Sequence, residues 1–334
     1  MTKLLIKHND KPSNKYGIEP KNRTIKQLLD KGFINIDKDK GPTSHIVADT
    51  VKKILNIKKV GHSGTLDPKV TGVLLMGLGK ATRLMEYMLK SNKEYICLMY
   101  VHKKISKSKI EKVLKQFTGE IIQIPPIISA VKRQPRKRTI YELELLDYEN
   151  NGQNILFRVR CQHGTYIRKL CSDIGETLKI GAQMKELRRT KAGPITEKDN
   201  IISLDKLRNL YELYNEETDE KNKLKIEQEL KKYIQPMEYL LKEYKKVYLR
   251  DSAVNPISKG ADLAIPGVAK LDDNIELGDE IAMLTLKGEL IGIGTAFLTS
   301  KQVIKKNKGA FIKTNKILMN IDYYPKTWDF KNQN

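Results

Sequence analysis

Cysteine, tryptophan and long apolar runs are what this 334-residue chain has least of. Its three cysteines, Cys97, Cys161 and Cys171, are odd in number and far apart, which excludes a disulfide framework and a CxxC zinc pattern and predicts reduced, buried thiols. The longest apolar candidate, residues 72–79, is broken by glycines and falls well short of the ~18 residues a membrane-spanning helix needs, so no membrane role is expected. The opening MTKLLIKHND holds an apolar stretch too short for a secretory signal, and a cytoplasmic location is the expectation. Acidic residues are in deficit as well: 40 Asp and Glu face 62 Lys and Arg, a formal net charge of +22. An excess of that size favours an anionic polymer, above all nucleic acid, because each neutralised phosphate releases condensed counterions. The hydrophobic fraction of 40% suffices for ordinary cores, and the length suggests two domains rather than a disordered polycation.

The distribution of charge says more than its total. Residues 131–138, VKRQPRKR, hold five basic residues (Lys132, Arg133, Arg136, Lys137 and Arg138) and no acidic one, beside Pro125 and Pro126, and read as an exposed basic loop. A second acid-free run carries six lysines between Lys301 and Lys316, whereas residues 205–238 mix both signs at helical spacing, as a solvated helix face does. Residues 32–37, GFINID, alternate as a strand, and Ile46, Val47, Val51, Ile54 and Leu55 recur at helical spacing after a turn. A glycine-punctuated loop at 61–68 precedes the apolar run Val73 to Met76 and a helix-like segment at 81–89. A strand at 94–101, an amphipathic helix at 105–117 and two strand-like runs flanking Asn150, Asn151 and Gly152 as a hairpin follow. Residues 202–241 read as mostly helical and as a separator between this front part and a different tail. From Val247 on, short β-rich runs at 280–286 and 289–297 joined by Lys287 and Gly288 predict a small β-barrel. The expected fold class is α+β.

One loop has the character of a catalytic element. In KVGHSGTLDPKVTG, residues 59–72, Gly61 and Gly64 permit unusual backbone angles and Pro68 stops helix, so the backbone is expected to be irregular and Asp67 to be held at a fixed point. A structural Asx-turn is the competing reading of an isolated Asp-Pro. The longer string GHSGTLDPKVTGVLLMGLGKATRL closely resembles the signature of RNA pseudouridine synthases of the tRNA-Ψ and dyskerin type, in which this aspartate is catalytic. Residues 32–42, GFINIDKDKGP, resemble the family's first motif, and Lys93, Glu94 and Tyr95 its second strand. RCQHGTYIRKL at 160–170 resembles the third motif, and MKELRRTKAGP at 184–194 a further one. SAVNPISKGADLAIPGVAKL at 252–271 is similar to the RNA-binding PUA domain.

The resemblance implies a mixed, mainly antiparallel-sheet synthase domain at 31–245 after an N-terminal extension at 1–30, then a small β-barrel PUA domain at 246–326 and a tail at 327–334. It also implies roles. Asp67 is catalytic, Tyr95 stacks on the flipped uracil, Tyr166 and Arg168 line the same pocket, and Leu187 touches the base. Apart from the resemblance, His62 is read as wedging or supporting the RNA and not as a general base, since the carboxylate needs no base. Lys132, Arg133, Arg136, Lys137 and Arg138 correspond to a thumb over the substrate, and Lys259, Gly260 and Ala261 to the turn where PUA domains bind an RNA end. The pattern is closest to the archaeal branch, the catalytic subunits of box H/ACA guide ribonucleoproteins. The implied partners are a box H/ACA guide RNA, rRNA, tRNA and small H/ACA core proteins. A stand-alone synthase for position 55 in the TΨC arm of tRNA and a noncatalytic guide-RNA scaffold are the alternatives.

The chemistry fits these residue types. Pseudouridylation breaks the bond from N1 to ribose, turns the base and rejoins it through C5, with nothing oxidised and nothing lost, so no cofactor and no metal are expected. It needs an ionised carboxylate beside an extruded base. Desolvation would favour protonation of Asp67, and a guanidinium at Arg168 opposes it, held two-pronged to the carboxylate; an ordinary structural salt bridge is the rival reading. His62 has no second histidine at metal spacing, and His45 and His163 are expected to be structural.

Overall fold

The computed structural model describes residues 3–125, 132–149 and 152–326. The chain divides into two compact units, Phe33–Ile234 and a second made of Met1–Gly32 with Gln235–Asn334.

In the first unit the sheet runs Gly32–Lys38, Thr71–Leu78, Ala182–Ala192, Lys93–Val101, Asn154–Cys161, Arg136–Glu149 and Gly119–Gln123. Neighbours pair antiparallel except Thr71–Leu78 with Ala182–Ala192, which are parallel. Val60–His62 adds to Thr71–Leu78. Two kinds of strand sequence explain the layering. Thr71–Leu78 is buried on both faces from Val73 onward and so reads as one apolar run. Asn154–Cys161 instead alternates, sending Ile155, Phe157, Val159 and Cys161 inward. Two helices matter for the site. Ser44–Ile54 starts where the Thr43 side chain accepts from the Ile46 N–H, and buries Val47, Ala48 and Val51. Ile167–Thr177 buries Ile167, Leu170, Cys171 and Ile174, and its Cys171 thiol lies 3.6 Å from that of Cys97. All three cysteines are free and buried, and burial pushes the Cys161 thiol up to about 12, so it stays protonated.

Three expectations need correction. Arg136, Lys137 and Arg138 are not in a loop: they open the strand Arg136–Glu149 and pair with Gln123, Ile122 and Ile121, because the β-branched run of Gly119–Gln123 supplies a partner edge. Of the expected basic loop, Lys132 and Arg133 are exposed coil and Val131 lies outside the described residues. The loop at 61–68 is regular at its start, since Gly61 and His62 pair with Gly77 and Met76. The charged helical stretch is no separator: Leu204–Glu216 and Glu220–Tyr233 pack on each other, and the former also on Ser44–Ile54, within the first unit. Asn150 and Asn151 of the expected hairpin turn lie outside the described residues; the strands flanking them pair antiparallel as expected.

In the second unit seven strands run Leu4–Ile6, Val268–Asp272, Lys245–Leu249, Glu280–Leu284, Leu290–Ala296, Ala310–Ile317 and Leu263–Ala264, around a core that includes Val247, Ile281, Ile291 and Phe311. The N-terminal segment is part of this unit: Leu4–Ile6 is a sheet strand, and Arg23, 1% exposed, holds Glu238 through two hydrogen bonds of 2.8 Å. Among the described residues no helix is long and apolar enough to cross a membrane.

Lys93, buried at the start of its strand, donates to the carbonyls of Met88 (2.8 Å), Leu89 (3.2 Å) and Ser91 (2.7 Å) and so closes the helix Met85–Lys90. Burial, then the charge of Arg189, pulls its ammonium down to about 7 from the ordinary 10.5. The unfolded chain therefore binds more protons across that window, and the cost of the buried ammonium is full below about pH 7 and fades as pH rises. Replacing Lys93 by Met removes this dependence. Urea unfolding should show the stability of the wild type over Lys93→Met growing by on the order of 1 kcal/mol per pH unit between about pH 7 and 9; a constant difference would contradict the assignment.

Candidate active site

Asp67 stands in the turn between Val60–His62 and Thr71–Leu78, and three buried polar side chains hold that turn from beneath. Lys38, 1% exposed, donates to the carbonyls of Asp39 (2.8 Å), Pro68 (3.2 Å) and Val70 (2.8 Å). Ser44, at the start of its helix, accepts from the Leu66 N–H at 2.8 Å and donates to the Leu66 carbonyl at 3.3 Å. Arg189, also 1% exposed, donates from Nε to the Val73 carbonyl at 2.7 Å and from Nη2 to the Gly64 carbonyl at 3.4 Å. Backbone bonds from Gly41 to Pro68 and from Val70 to Asp67, each 2.9 Å, complete the turn. At Gly72 (φ +98°) a Cβ would fall 2.3 Å from the Arg189 carbonyl, so only glycine lets the two strands meet here. Removing any of these donors strands carbonyls at about 1–3 kcal/mol each, which makes the turn a rigid support.

Over this support Arg168, in the first turn of Ile167–Thr177, pairs with Asp67 through Nη2 and Oδ2. The expectation of a two-pronged grip is not met, since one nitrogen and one oxygen make the contact. The Arg168 and Asp67 side chains are 48% and 54% exposed, so the pair contributes about 0–1 kcal/mol to stability. Fold stability is thus not the reason for the pairing. It places a cation against an accessible carboxylate.

Tyr95 is the register partner of Arg189 and hydrogen-bonds its guanidinium. Burial pushes the phenol up and Arg189 opposes the shift; the net rise keeps Tyr95 protonated at neutral pH. Tyr166 caps the start of Ile167–Thr177, and both of its main-chain groups are taken by the side chain of Gln123. His62 accepts the Gly64 N–H on Nδ1 at 3.3 Å and meets His45 edge-on, ring centres 4.9 Å apart. Burial, then His45 and Arg189, lowers its pKa, so the imidazole is neutral at neutral pH. Leu187 is 9% exposed and pairs with Cys97 across the sheet. The structure thus brings Asp67, Arg168, Tyr95 and His62 around one turn. Lys137 is exposed and ion-paired to Glu120 at 2.9 Å, and Arg136 and Arg138 are half-buried beside it on the same strand.

Lys259, Gly260 and Ala261 belong to the other unit. Lys259 ends the helix Asp251–Ser258 and pairs with Asp322 at 2.8 Å, Gly260 has φ +101°, and the Ala261 carbonyl accepts from Thr314 at 2.7 Å.

Lys38, Ser44, Arg189 and Gln123 escaped sequence reasoning. The one available signal is the Arg188-Arg189 pair on a strand, whose alternation sends the two to opposite faces. Arg188 does face the other way, gripping Asp37 at 2.9 and 3.0 Å and also binding Glu197. Among the described residues no group of three or more His, Cys, Asp or Glu side chains is placed to hold a metal ion.

Comparison with known proteins gives this site its context. The N-terminal domain of the TruB family pseudouridylate synthases matches residues 52–107 and 100–167, the C-terminal domain of tRNA pseudouridylate synthase B matches 168–242, the PUA domain 245–318 and the DKCLD (NUC011) domain 1–48. A Methanothermobacter thermautotrophicus relative, described as a probable tRNA pseudouridine synthase B, is 46% identical over 313 residues, covering 94% of each chain. A Pyrococcus furiosus relative with the same description is 46% identical over 327 residues, covering 98% of this chain and 94% of its own. Among solved structures, a chain from an H/ACA ribonucleoprotein bound to a substrate RNA containing 2′-deoxyuridine is 43% identical, with a TM-score of 0.88 and 98% of both chains covered. A chain from an archaeal box H/ACA Nop10-Cbf5 complex is 40% identical, with a TM-score of 0.87, covering 98% of this chain and 99% of that one. With catalytic and PUA modules matched in order along its length, the chain belongs to the TruB family of pseudouridine synthases.

Proposed function

We propose that the chain isomerises uridine to pseudouridine in rRNA, directed by a box H/ACA guide RNA and assembled with small H/ACA core proteins, in the cytoplasm. The observation that carries this reading is an accessible Asp67 carboxylate, fixed on a rigid turn and faced by Arg168. Asp67 provides the nucleophilic or covalent assistance that loosens the N1 bond to ribose. C5 then bonds to the same ribose carbon, the C5 proton is lost and N1 gains one, so atoms and electrons balance without a cofactor. Arg168 holds a cation against that carboxylate and orients it toward the base. Tyr95 presents a ring face and a protonated hydroxyl to the extruded uracil. Tyr166 and Leu187 complete the base pocket, and a neutral His62 supports the RNA without serving as a general base. The basic residues Lys132, Arg133, Arg136, Lys137 and Arg138 take phosphates of the substrate strand, and Lys259, Gly260 and Ala261 an end of the guide.

A second reading, modification of position 55 in the tRNA TΨC arm, is favoured by the description of the curated relatives as probable tRNA synthases. Pseudouridine formation on an rRNA fragment and on a tRNA transcript, each with and without guide and partner proteins, separates the two. The expected result is rRNA turnover that requires the guide. Turnover of tRNA alone would transfer the assignment to the second reading, and turnover of neither would leave a scaffold. In the assembled complex Asp67→Asn should lower turnover by at least about a thousandfold while RNA affinity changes less than about twofold, since chemistry and phosphate contacts sit on different residues. Parallel loss of affinity, measured by filter binding, would show Asp67 to be a binding residue instead.

A further inference from the structure

Gln123 is the last residue of Gly119–Gln123 and is 2% exposed. Its Oε1 accepts the Tyr166 N–H at 2.9 Å, and its Nε2 donates to the Tyr166 carbonyl at 3.1 Å. One side-chain amide therefore satisfies both main-chain groups of the residue that begins Ile167–Thr177, much as a neighbouring strand would. Arg168 lies two residues further on, so the orientation of the Tyr166 peptide sets where its guanidinium meets Asp67.

The other side of Gln123 faces the basic hairpin, where its sheet partner is Arg136. A second glutamine makes a related tie, through one main-chain and one side-chain group. The Gln162 N–H donates to the Thr139 carbonyl at 2.8 Å, and its side-chain oxygen accepts the Thr139 N–H at 3.2 Å. Residues 162–166 are thus tied to the hairpin at both ends. Between the ties Gly164 takes φ +74°, a conformation that L side chains rarely adopt, and its position for a Cβ lies 3.0 Å from Arg138 Nη2. The strand that carries Arg136, Lys137 and Arg138 and the turn that delivers Tyr166 and Arg168 are one mechanical piece.

We propose that Gln123 is a positioning residue that couples the basic hairpin to the Asp67–Arg168 pair. Engagement of RNA phosphates by Arg136 and Arg138 fixes the hairpin, and the amide of Gln123 passes that fixation to the start of the helix. The inference rests on the reading of Asp67 and Arg168 as the reacting centre.

The test is a double-mutant cycle in the chain assembled with guide RNA and partner proteins. Gln123→Met keeps the length of the side chain and loses both hydrogen bonds. It should lower the single-turnover rate about tenfold with substrate Kd within about twofold, whereas in an Arg168→Ala background it should cost less than about twofold more. Gln123→Glu, which keeps only the acceptor for the Tyr166 N–H, should fall between wild type and Met, and carries the same cycle should thermal melting show the Met variant unfolded. An equal loss in both backgrounds, no loss in either, or a parallel loss of RNA affinity would overturn the proposal. Failure of the Asp67 reading is seen separately, as turnover by the Asp67→Asn chain.

Discussion

Arg189 carries a guanidinium into the interior beneath the Asp67 turn, and the geometry of the site hangs on how that charge is satisfied. An unpaired buried cation would cost several kcal/mol, so its donors must find acceptors. They find the Val73 carbonyl at the start of one strand, the Gly64 carbonyl in the turn and the Tyr95 hydroxyl on a third element. A single side chain thereby locks together the turn that carries Asp67 and the strand that carries Tyr95. Lys38 does the same on the far side of Asp67, joining Pro68 and Val70 to the first strand. Burial lowers the pKa of both cations, the effect of taking a charge out of water.

That support explains why the Asp67–Arg168 pair can remain half-exposed. A surface ion pair is too weak to hold a loop in place. Here it has no need to, because the turn is held from below, and the pair stays accessible. The arrangement has the form of a preorganised site, with the groups proposed to react on the open side and their supports buried. The carboxylate and the cation paired with it come from sequence segments 101 residues apart, so only the folded chain brings them together.

Much of this was legible in the sequence, and the remainder was hidden for physical reasons. Strand and helix periodicities announced themselves wherever one face was buried, as in Asn154–Cys161 and Ser44–Ile54. Asp67, Arg168 and Tyr95 were visible because motif strings specify them. Arg136, Lys137 and Arg138 misled because a run of charge looks like a loop, while a strand can carry charge on its solvent side and still pair. Lys38, Arg189 and Gln123 were invisible because their residue types are ordinarily exposed, and only three-dimensional burial shows them bonded to backbone. The N-terminal segment read as an extension, yet Leu4–Ile6 completes a sheet whose other strands lie more than 230 residues away along the chain.

Amide hydrogen exchange at Leu66 and Val70 tests the central claim, that the turn bearing Asp67 is a rigid platform and not a mobile loop. The Leu66 N–H is bonded to the buried Ser44 hydroxyl and the Val70 N–H to the Asp67 carbonyl. Both should be protected as well as the neighbouring strand Thr71–Leu78, in the free protein and before any RNA is added. Exchange at the rate of an open loop, with protection appearing only when RNA binds, would show that the platform is assembled by the substrate and would contradict the account.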